Sequence, residues 1–268
     1  MSHRLGDSRV RTEGFERLEY AVGGNRTVVY AAGSGEPLVY FHGAGTFHGL
    51  DYARDWIDRY RVIIPYHPGF GESPDDPRIT TIHDYVLHYL ELFGLMGISN
   101  VNLVGCSMGG RLAAEFAVEH SSLLRRLVLV CPAGLDAPDY PMADLAEIPA
   151  GELLSYLISD IRFIERYLPT GPDPHFAAMR DREGASVGRI LRAGSLVNPL
   201  LSTWLHRVQV PSLVVWGSDD RLIPAAQANI WSRLLPHCST HMVPGGGHLI
   251  LDESADARLA VKSFLAKE

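Results

Sequence analysis

The chain has 268 residues, 46% of them hydrophobic, and a formal net charge of −7. That size suits one large α/β domain or two ordinary ones. The acidic balance without a basic cluster argues against nucleic acid and anionic membrane as partners, which leaves a small molecule. The three cysteines, Cys106, Cys131 and Cys238, are odd in number and lack Cys-x-x-Cys spacing, so neither a disulfide framework nor structural zinc is expected, and a reducing compartment fits. Met1 to Glu16 is polar with no apolar signal core, and no apolar run reaches membrane-spanning length. A soluble, cytoplasmic protein without membrane contact is the expectation.

Phe15 to Val22 and Arg26 to Ala31 read as strands joined by Gly23-Gly24-Asn25, a hairpin at an antiparallel edge. Pro37 to Phe41 and Arg61 to Pro65 are short apolar runs that empty into His42-Gly43-Ala44-Gly45 and His67-Pro68-Gly69-Phe70-Gly71, as buried strands entering glycine loops do. Leu50 to Tyr60 between them reads as a short helix. Thr81 to Met96 is a stronger one, with Ile82, Tyr85, Val86, Tyr89, Leu90 and Phe93 on one face and Thr80 or Thr81 as cap.

Strand Val101 to Val104 then runs into Gly105-Cys106-Ser107-Met108-Gly109-Gly110 and a helix carrying Leu112, Ala113, Phe116 and Ala117. Leu127 to Val130 is the next strand. Strands and helices alternating at this spacing predict parallel βαβ crossovers. The alternation breaks from Gly134 to His206, where helical segments (Leu153 to Leu168, Asp173 to Arg182, Val187 to Leu196, Pro199 to His206) are punctuated by proline. This stretch, 134–206, reads as a helical cap inserted into a core made of 1–133 and 207–268. Pro211 to Trp216 and Thr240 to Val243 resume the strand pattern, with helices at Ala225 to Leu235 and Ser254 to Lys267.

A serine between two glycines, at the end of a buried strand and the start of a helix, is the pattern of a projecting nucleophile, because only near-absent flanking side chains permit so sharp a turn. Ser107 fits it. Gly184-Ala185-Ser186-Val187-Gly188 repeats the pentapeptide, but it follows the charged run Arg180-Asp181-Arg182-Glu183, which is no buried strand, so Ser186 is read as a coincidence.

With the elbow, the His42-Gly43-Ala44-Gly45 and Pro68-Gly69-Phe70-Gly71 loops, Trp216-Gly217-Ser218-Asp219-Asp220 with Pro224, and Gly246-Gly247-His248, nearly the whole chain resembles a capped serine hydrolase of the α/β-hydrolase superfamily. The resemblance implies a mostly parallel eight-stranded sheet flanked by helices, with the cap after the sixth strand. It also implies the chain order serine, acid, histidine. His248 follows a strand and a glycine run and is the expected base; His237 beside Pro236 and His241 inside a strand read as surface or packing residues. The family's usual register selects Asp220 as the acid over Asp219, with Asp136 a third choice at a known alternative position. The backbone amides of Ala44 and Met108 are the implied oxyanion donors.

Apolar cap residues are the expected lining of a substrate pocket: Leu153, Leu157, Phe163, Phe176, Met179, Leu196 and Trp204, joined by His42 and Leu249 from the core. From Gly134 to His206 there are six arginines, no lysine and ten acidic residues, unlike a surface for phosphate or coenzyme A. No cofactor and no metal are expected. Cys106 reads as a small buried filler, and His83 and His88, five apart, as surface or packing residues. Tyr66 stands where many relatives carry aspartate.

The implied activity is hydrolysis of a small to medium, largely apolar carboxylic ester through an acyl-enzyme. The alternatives are C–C bond hydrolysis of the meta-cleavage-product type, from which Cys106 and Leu249 depart where those enzymes usually carry Asn and Trp, and cofactor-free perhydrolysis. Haloalkane dehalogenase and epoxide hydrolase chemistry needs an aspartate at the elbow. A non-catalytic receptor on the same fold is the alternative of another class, and it has no need of all three of Ser107, Asp220 and His248.

Overall fold

The computed structural model describes residues 11–145, 147–149 and 151–267. Its strands are β1 (Glu16–Val22), β2 (Asn25–Ala32), β3 (Glu36–Phe41), β4 (Tyr60–Pro65), β5 (Val101–Cys106), β6 (Leu124–Val130), β7 (Ser212–Gly217) and β8 (Cys238–Val243). They form one eight-stranded sheet in the order β1-β2-β4-β3-β5-β6-β7-β8. β2 is antiparallel to both β1 and β4, and every pairing from β4 across to β8 is parallel. β5 and β7 are buried at every position, because helices cover both faces of the parallel part of the sheet; β8, at the edge, is mostly open.

The core helices are α1 (Ile82–Met96), α2 (Met108–His120), with α6 (Gln227–Leu234), α7 (Ile250–Glu253) and α8 (Ala255–Leu265) after the insertion; between β6 and β7 lie α3 (Leu153–Leu157), α4 (Pro174–Ala193) and α5 (Leu201–Trp204). α1 opens with a capping box. The Thr81 hydroxyl accepts the Asp84 N–H at 3.2 Å, and the Asp84 carboxylate accepts the Thr81 N–H at 2.8 Å, so two orphan donors are satisfied reciprocally. Among the described residues no helix is long and apolar enough to cross a membrane.

Several local expectations are corrected. The helix expected at Leu50 to Tyr60 is a single 3-10 stretch, Asp51–Asp55, and β8 begins two residues before Thr240. Leu153 to Leu168 breaks into the five-residue α3 and two 3-10 turns, and Pro199 to His206 into α5 and the 3-10 turn Leu205–Arg207.

The two segments expected at Asp173 to Arg182 and Val187 to Leu196 are one helix. Asp173 caps it by accepting the His175 and Phe176 N–H groups, Pro174 occupies its first turn, and it continues through Gly184 and Gly188. Each interior glycine costs about 1 kcal/mol against alanine. The burial of Met179, Glu183, Ser186, Val187 and Ile190 along one side offsets that cost. Ser186 thus lies in mid-helix, packed on Gly69 and bonded to its own backbone at Arg182 O (3.2 Å), far from any strand-to-helix turn.

Glycines in this fold divide by what surrounds them. A Cβ on Gly109 would stand 2.2 Å from the Phe41 carbonyl oxygen, whereas one on the exposed Gly94 of α1 would meet nothing within 4 Å. Gly109→Ala is therefore expected to destabilise by at least about 1–3 kcal/mol, through overpacking against backbone that cannot yield. Gly94→Ala should stabilise by about 0.5–1 kcal/mol. Urea unfolding of the two variants checks both signs.

Candidate active site

Ser107 stands between β5 and α2 with φ 55° and ψ −119°, a conformation a residue with a side chain adopts at a cost on the order of 1–3 kcal/mol. Hydrogen bonds hold it there. Its N–H donates to Val130 O at 3.0 Å, and its carbonyl accepts from Gly110 N at 2.9 Å and Ala133 N at 3.0 Å. The turn closes because Gly105 and Gly109 touch: a Cβ on Gly105 would lie 2.3 Å from Gly109 O. Met108 is the first residue of α2, where the backbone N–H has no acceptor within its own helix.

Asp220, in the loop after β7, is buried and fully engaged. Its Oδ1 accepts the N–H groups of Leu222 and Ile223, each at 2.9 Å, and its Oδ2 accepts the Trp216 indole N–H at 3.0 Å and faces His248 Nδ1 at 2.8 Å. An acceptor-only carboxylate opposite Nδ1 makes that nitrogen the protonated one, so the Nε2 lone pair is left free. Nε2 is buried and has no hydrogen-bond partner among the described residues. His248 and Ser107 line the same cavity, of about 400 Å³.

The competing residues lie elsewhere. Asp219 is exposed and accepts from the Ser218 hydroxyl, and Asp136 is exposed at the start of the insertion. His237 is exposed, and His241 pairs with Asp256 at the surface at 2.7 Å. His83 meets Glu119 at the surface, while His88 is buried against the Thr27 hydroxyl at 3.1 Å.

The loop His42-Gly43-Ala44-Gly45 lies against Ser107. A Cβ on Gly43 would be 3.3 Å from Ser107 Cβ, and Ala44 lines the cavity. His42 does not line it, a correction to the expected substrate contact. Its ring is folded beneath the loop, donating from Nδ1 to Gly43 O at 2.7 Å and accepting the His67 N–H on Nε2 at 3.0 Å. His67 in turn donates to His42 O at 2.9 Å and is bonded to the Tyr89 hydroxyl. Tyr66, where relatives carry aspartate, is buried with its ring under Gly71 and edge-on to Tyr30 and His42.

Leu153, Leu157, Leu196 and Leu249 line the cavity; Phe176, Trp204, Phe163 and Met179 do not. Phe176 and Met179 pack in a satellite cluster with Phe47, Ile158, Ile164 and Tyr167. Trp204 is 44% exposed, because the short α5 turns Leu201 into the core and points the indole away. The remaining aliphatic wall is Met142, Leu145, Ile148, Val187, Leu191 and Leu222, none of them anticipated. A usable signal existed in α4. Arg180, Gly184, Val187, Gly188 and Leu191 follow the spacing of one helical face, and all five line the cavity. The glycines of the second Gly-x-Ser-x-Gly therefore leave space for substrate.

Two titratable groups at the cavity were also missed. His48 is buried, with Nδ1 3.1 Å from Asp252 Oδ2. Burial pulls its pKa down, but the Asp252 carboxylate outweighs that and raises it above the usual histidine value. Arg180 lies over the Phe47 ring, its Nη1 3.3 Å from Glu183. Cys106 lines the cavity with its thiol pushed up to about 12 by burial, as an inert filler would be. Cys131, Asp220 and His248 place one ligand atom each within 4.8 Å of one another. The Asp220 oxygens are already taken by two amides, an indole and His248, so these residues are poorly suited to a metal ion.

A mostly parallel sheet of this order, a strained serine between its fifth strand and the following helix, and a helical insertion after its sixth strand define the α/β-hydrolase class. The chain belongs to the alpha/beta hydrolase family, whose family model matches residues 38–261, and it is an α/β-hydrolase enzyme. It is similar to a 2-hydroxy-6-oxo-6-phenylhexa-2,4-dienoate hydrolase of Burkholderia cepacia, at 28% identity over 215 residues covering 74% of each chain. It is also similar to Lipase 1 of Psychrobacter immobilis, at 27% over 230 residues, covering 78% of this chain and 71% of the lipase. A crystal structure of a serine hydrolase involved in carbazole degradation superimposes with a TM-score of 0.78 at 27% identity, covering 94% of this chain and 99% of that one.

The buried histidines set the acid sensitivity of this region. Burial lowers His67 to about 3 and His88 to about 4, and holds His42 well below the ordinary value. In the unfolded chain these rings protonate near about 6.5, so between pH 6 and 4 the unfolded state binds protons that the folded state does not. Stability therefore falls as pH drops through that window, by up to about 1.4 kcal/mol per pH unit for each ring. In urea titrations at a series of pH values, His67→Gln or His88→Gln should each flatten the slope by up to that amount; slopes equal to wild type would refute it.

Proposed function

We propose that this enzyme is a serine hydrolase that cleaves a small to medium, largely apolar carboxylic ester through an acyl-enzyme on Ser107. The observation that carries the proposal is the Asp220–His248 pair, at 2.8 Å, with a free Nε2 in the same aliphatic cavity as the strained serine.

A serine hydroxyl attacks only when a base removes its proton as the bond forms. His248 Nε2 takes that proton, and Asp220 holds the ring in the required tautomer and stabilises the imidazolium. The tetrahedral oxyanion is held by the N–H groups of Ala44 and Met108. His248 returns the proton to the leaving alkoxide, and water then repeats the sequence on the acyl-enzyme. Burial strengthens each of these interactions, since little solvent competes within the cavity. The small-molecule ester is the only partner the proposal requires.

Ser107→Ala and His248→Ala should each lower turnover of short to medium p-nitrophenyl esters by on the order of 10³ to 10⁶, with the double variant little worse than either single one. Additive losses would show that the two do not act together. Asp220→Asn should cost on the order of 10⁴ by stabilising the wrong tautomer, and Asp219→Asn almost nothing. A fluorophosphonate should add once to wild type and not to Ser107→Ala, by intact mass; a folded wild type that takes no adduct would favour a non-catalytic receptor.

Hydrolysis of a C–C bond is the second reading. The relatives named above that act on a dienoate and in carbazole degradation favour it, while Cys106 and Leu249, in place of the usual Asn and Trp, weigh against it. A vinylogous 1,5-diketone assayed beside the esters separates the two. Faster turnover of the diketone, or a strong preference for highly charged esters, would overturn the apolar-ester reading.

A further inference from the structure

Glu183 is the most unusual charged group outside the catalytic set. It lies in the middle of α4, in the insertion, yet its side chain is fully buried. A buried carboxylate is costly unless every lone pair is used, so its partners show what it is for. It accepts the Thr46 hydroxyl at 2.5 Å and the Thr46 N–H at 3.3 Å, the Gly71 N–H at 3.1 Å, and Arg180 Nη1 at 3.3 Å. Three of these four contacts are to the core. They join the loop after β3 to the loop after β4.

Thr46 is two residues beyond Ala44. The short segment between them is pinned at its near end by the His42 ring, bonded to Gly43 O, and at its far end by Glu183, while Gly43 lies against Ser107. Gly45, between them, lies beside Arg180, whose Nη1 would stand 2.7 Å from a Cβ there. An oxyanion donor contributes only if it is already aimed when the charge develops.

We infer that Glu183 is a positioning residue of the insertion that aims the Ala44 N–H, so that seating α4 and completing the oxyanion hole are one event. This rests on the serine-hydrolase reading above. α4 keeps other anchors to the core that do not pass through Glu183. Arg182 donates to Gly71 O, and Arg189 Nη1 to Asp75 at 3.0 Å. Removing the carboxylate should loosen the loop without releasing the helix.

The test uses wild type, Glu183→Ala, Glu183→Gln and Thr46→Val, with p-nitrophenyl butyrate, a trifluoromethyl ketone that forms an oxyanion on the serine, its methyl ketone counterpart, and a fluorophosphonate. Loss of one oxyanion donor costs about 10²–10³-fold, so misaiming one should lower kcat of Glu183→Ala by roughly 10–100-fold, with KM within about threefold. Trifluoromethyl ketone affinity and the fluorophosphonate labelling rate should fall in parallel, and methyl ketone binding should not. Glu183→Gln, which still accepts backbone N–H groups, should recover part of the loss, and Thr46→Val should show a smaller loss of the same kind. Equal weakening of both ketones would mark a merely structural role and overturn the inference. So would Glu183→Gln and Thr46→Val labelling at the wild-type rate. A wild type that takes no adduct overturns the serine-hydrolase reading itself, and this inference with it.

Discussion

The site depends on one backbone constraint, the close approach of β5 to the start of α2. Because Gly105 and Gly109 have no side chains, the chain reverses within a few residues, and Ser107 is left at a positive φ on the crest of the turn. Neighbouring strands hold it there, through Val130 O on β6 and the N–H of Ala133 just beyond it. Gly109 in turn sits directly on the carbonyls of Phe41 and His42, so the geometry that strains the serine also brings the glycine loop after β3 against it. Ser107 and the His42-Gly43-Ala44-Gly45 loop are thus brought together by a single packing arrangement.

The same economy governs charge around the cavity. Asp220 is surrounded by two amides, an indole N–H and His248; His48 faces Asp252; Glu183 is held by Thr46, Gly71 and Arg180. Asp220 and Glu183 have hydrogen-bond partners that compensate their burial, and the cavity is walled mainly by aliphatic side chains. The His42–His67 pair, neutral because burial disfavours its charged form, supports the loop after β3 without adding a charge there.

The cavity's walls come from two parts of the chain. The elbow, the acid loop and the histidine loop all stand at the C-terminal ends of parallel strands, where family membership is expressed. The insertion supplies much of the wall, with the Arg180-to-Leu191 face of α4 on the same cavity as Ser107 and His248 and two glycines on that face.

By itself the sequence determined whatever rests on local rules. The parallel strands announced themselves as apolar runs ending in glycine, α1 by its period and its Thr81–Asp84 cap, and Ser107 by a buried strand that Ser186 lacks. The family resemblance, through its chain order and the register of Trp216-Gly217 and Gly246-Gly247, singled out Asp220 and His248, which pair at 2.8 Å. Tertiary structure alone decided which residues face the cavity. Trp204 and Phe176 read as lining and lie elsewhere, His48 and Arg180 were not singled out and line it, and Glu183 belonged to a charged run but is buried. The physical reason is that burying a charge or turning out an aromatic ring depends on partners distant in sequence. Glu183 meets Thr46 across 137 residues, and no local pattern encodes that contact.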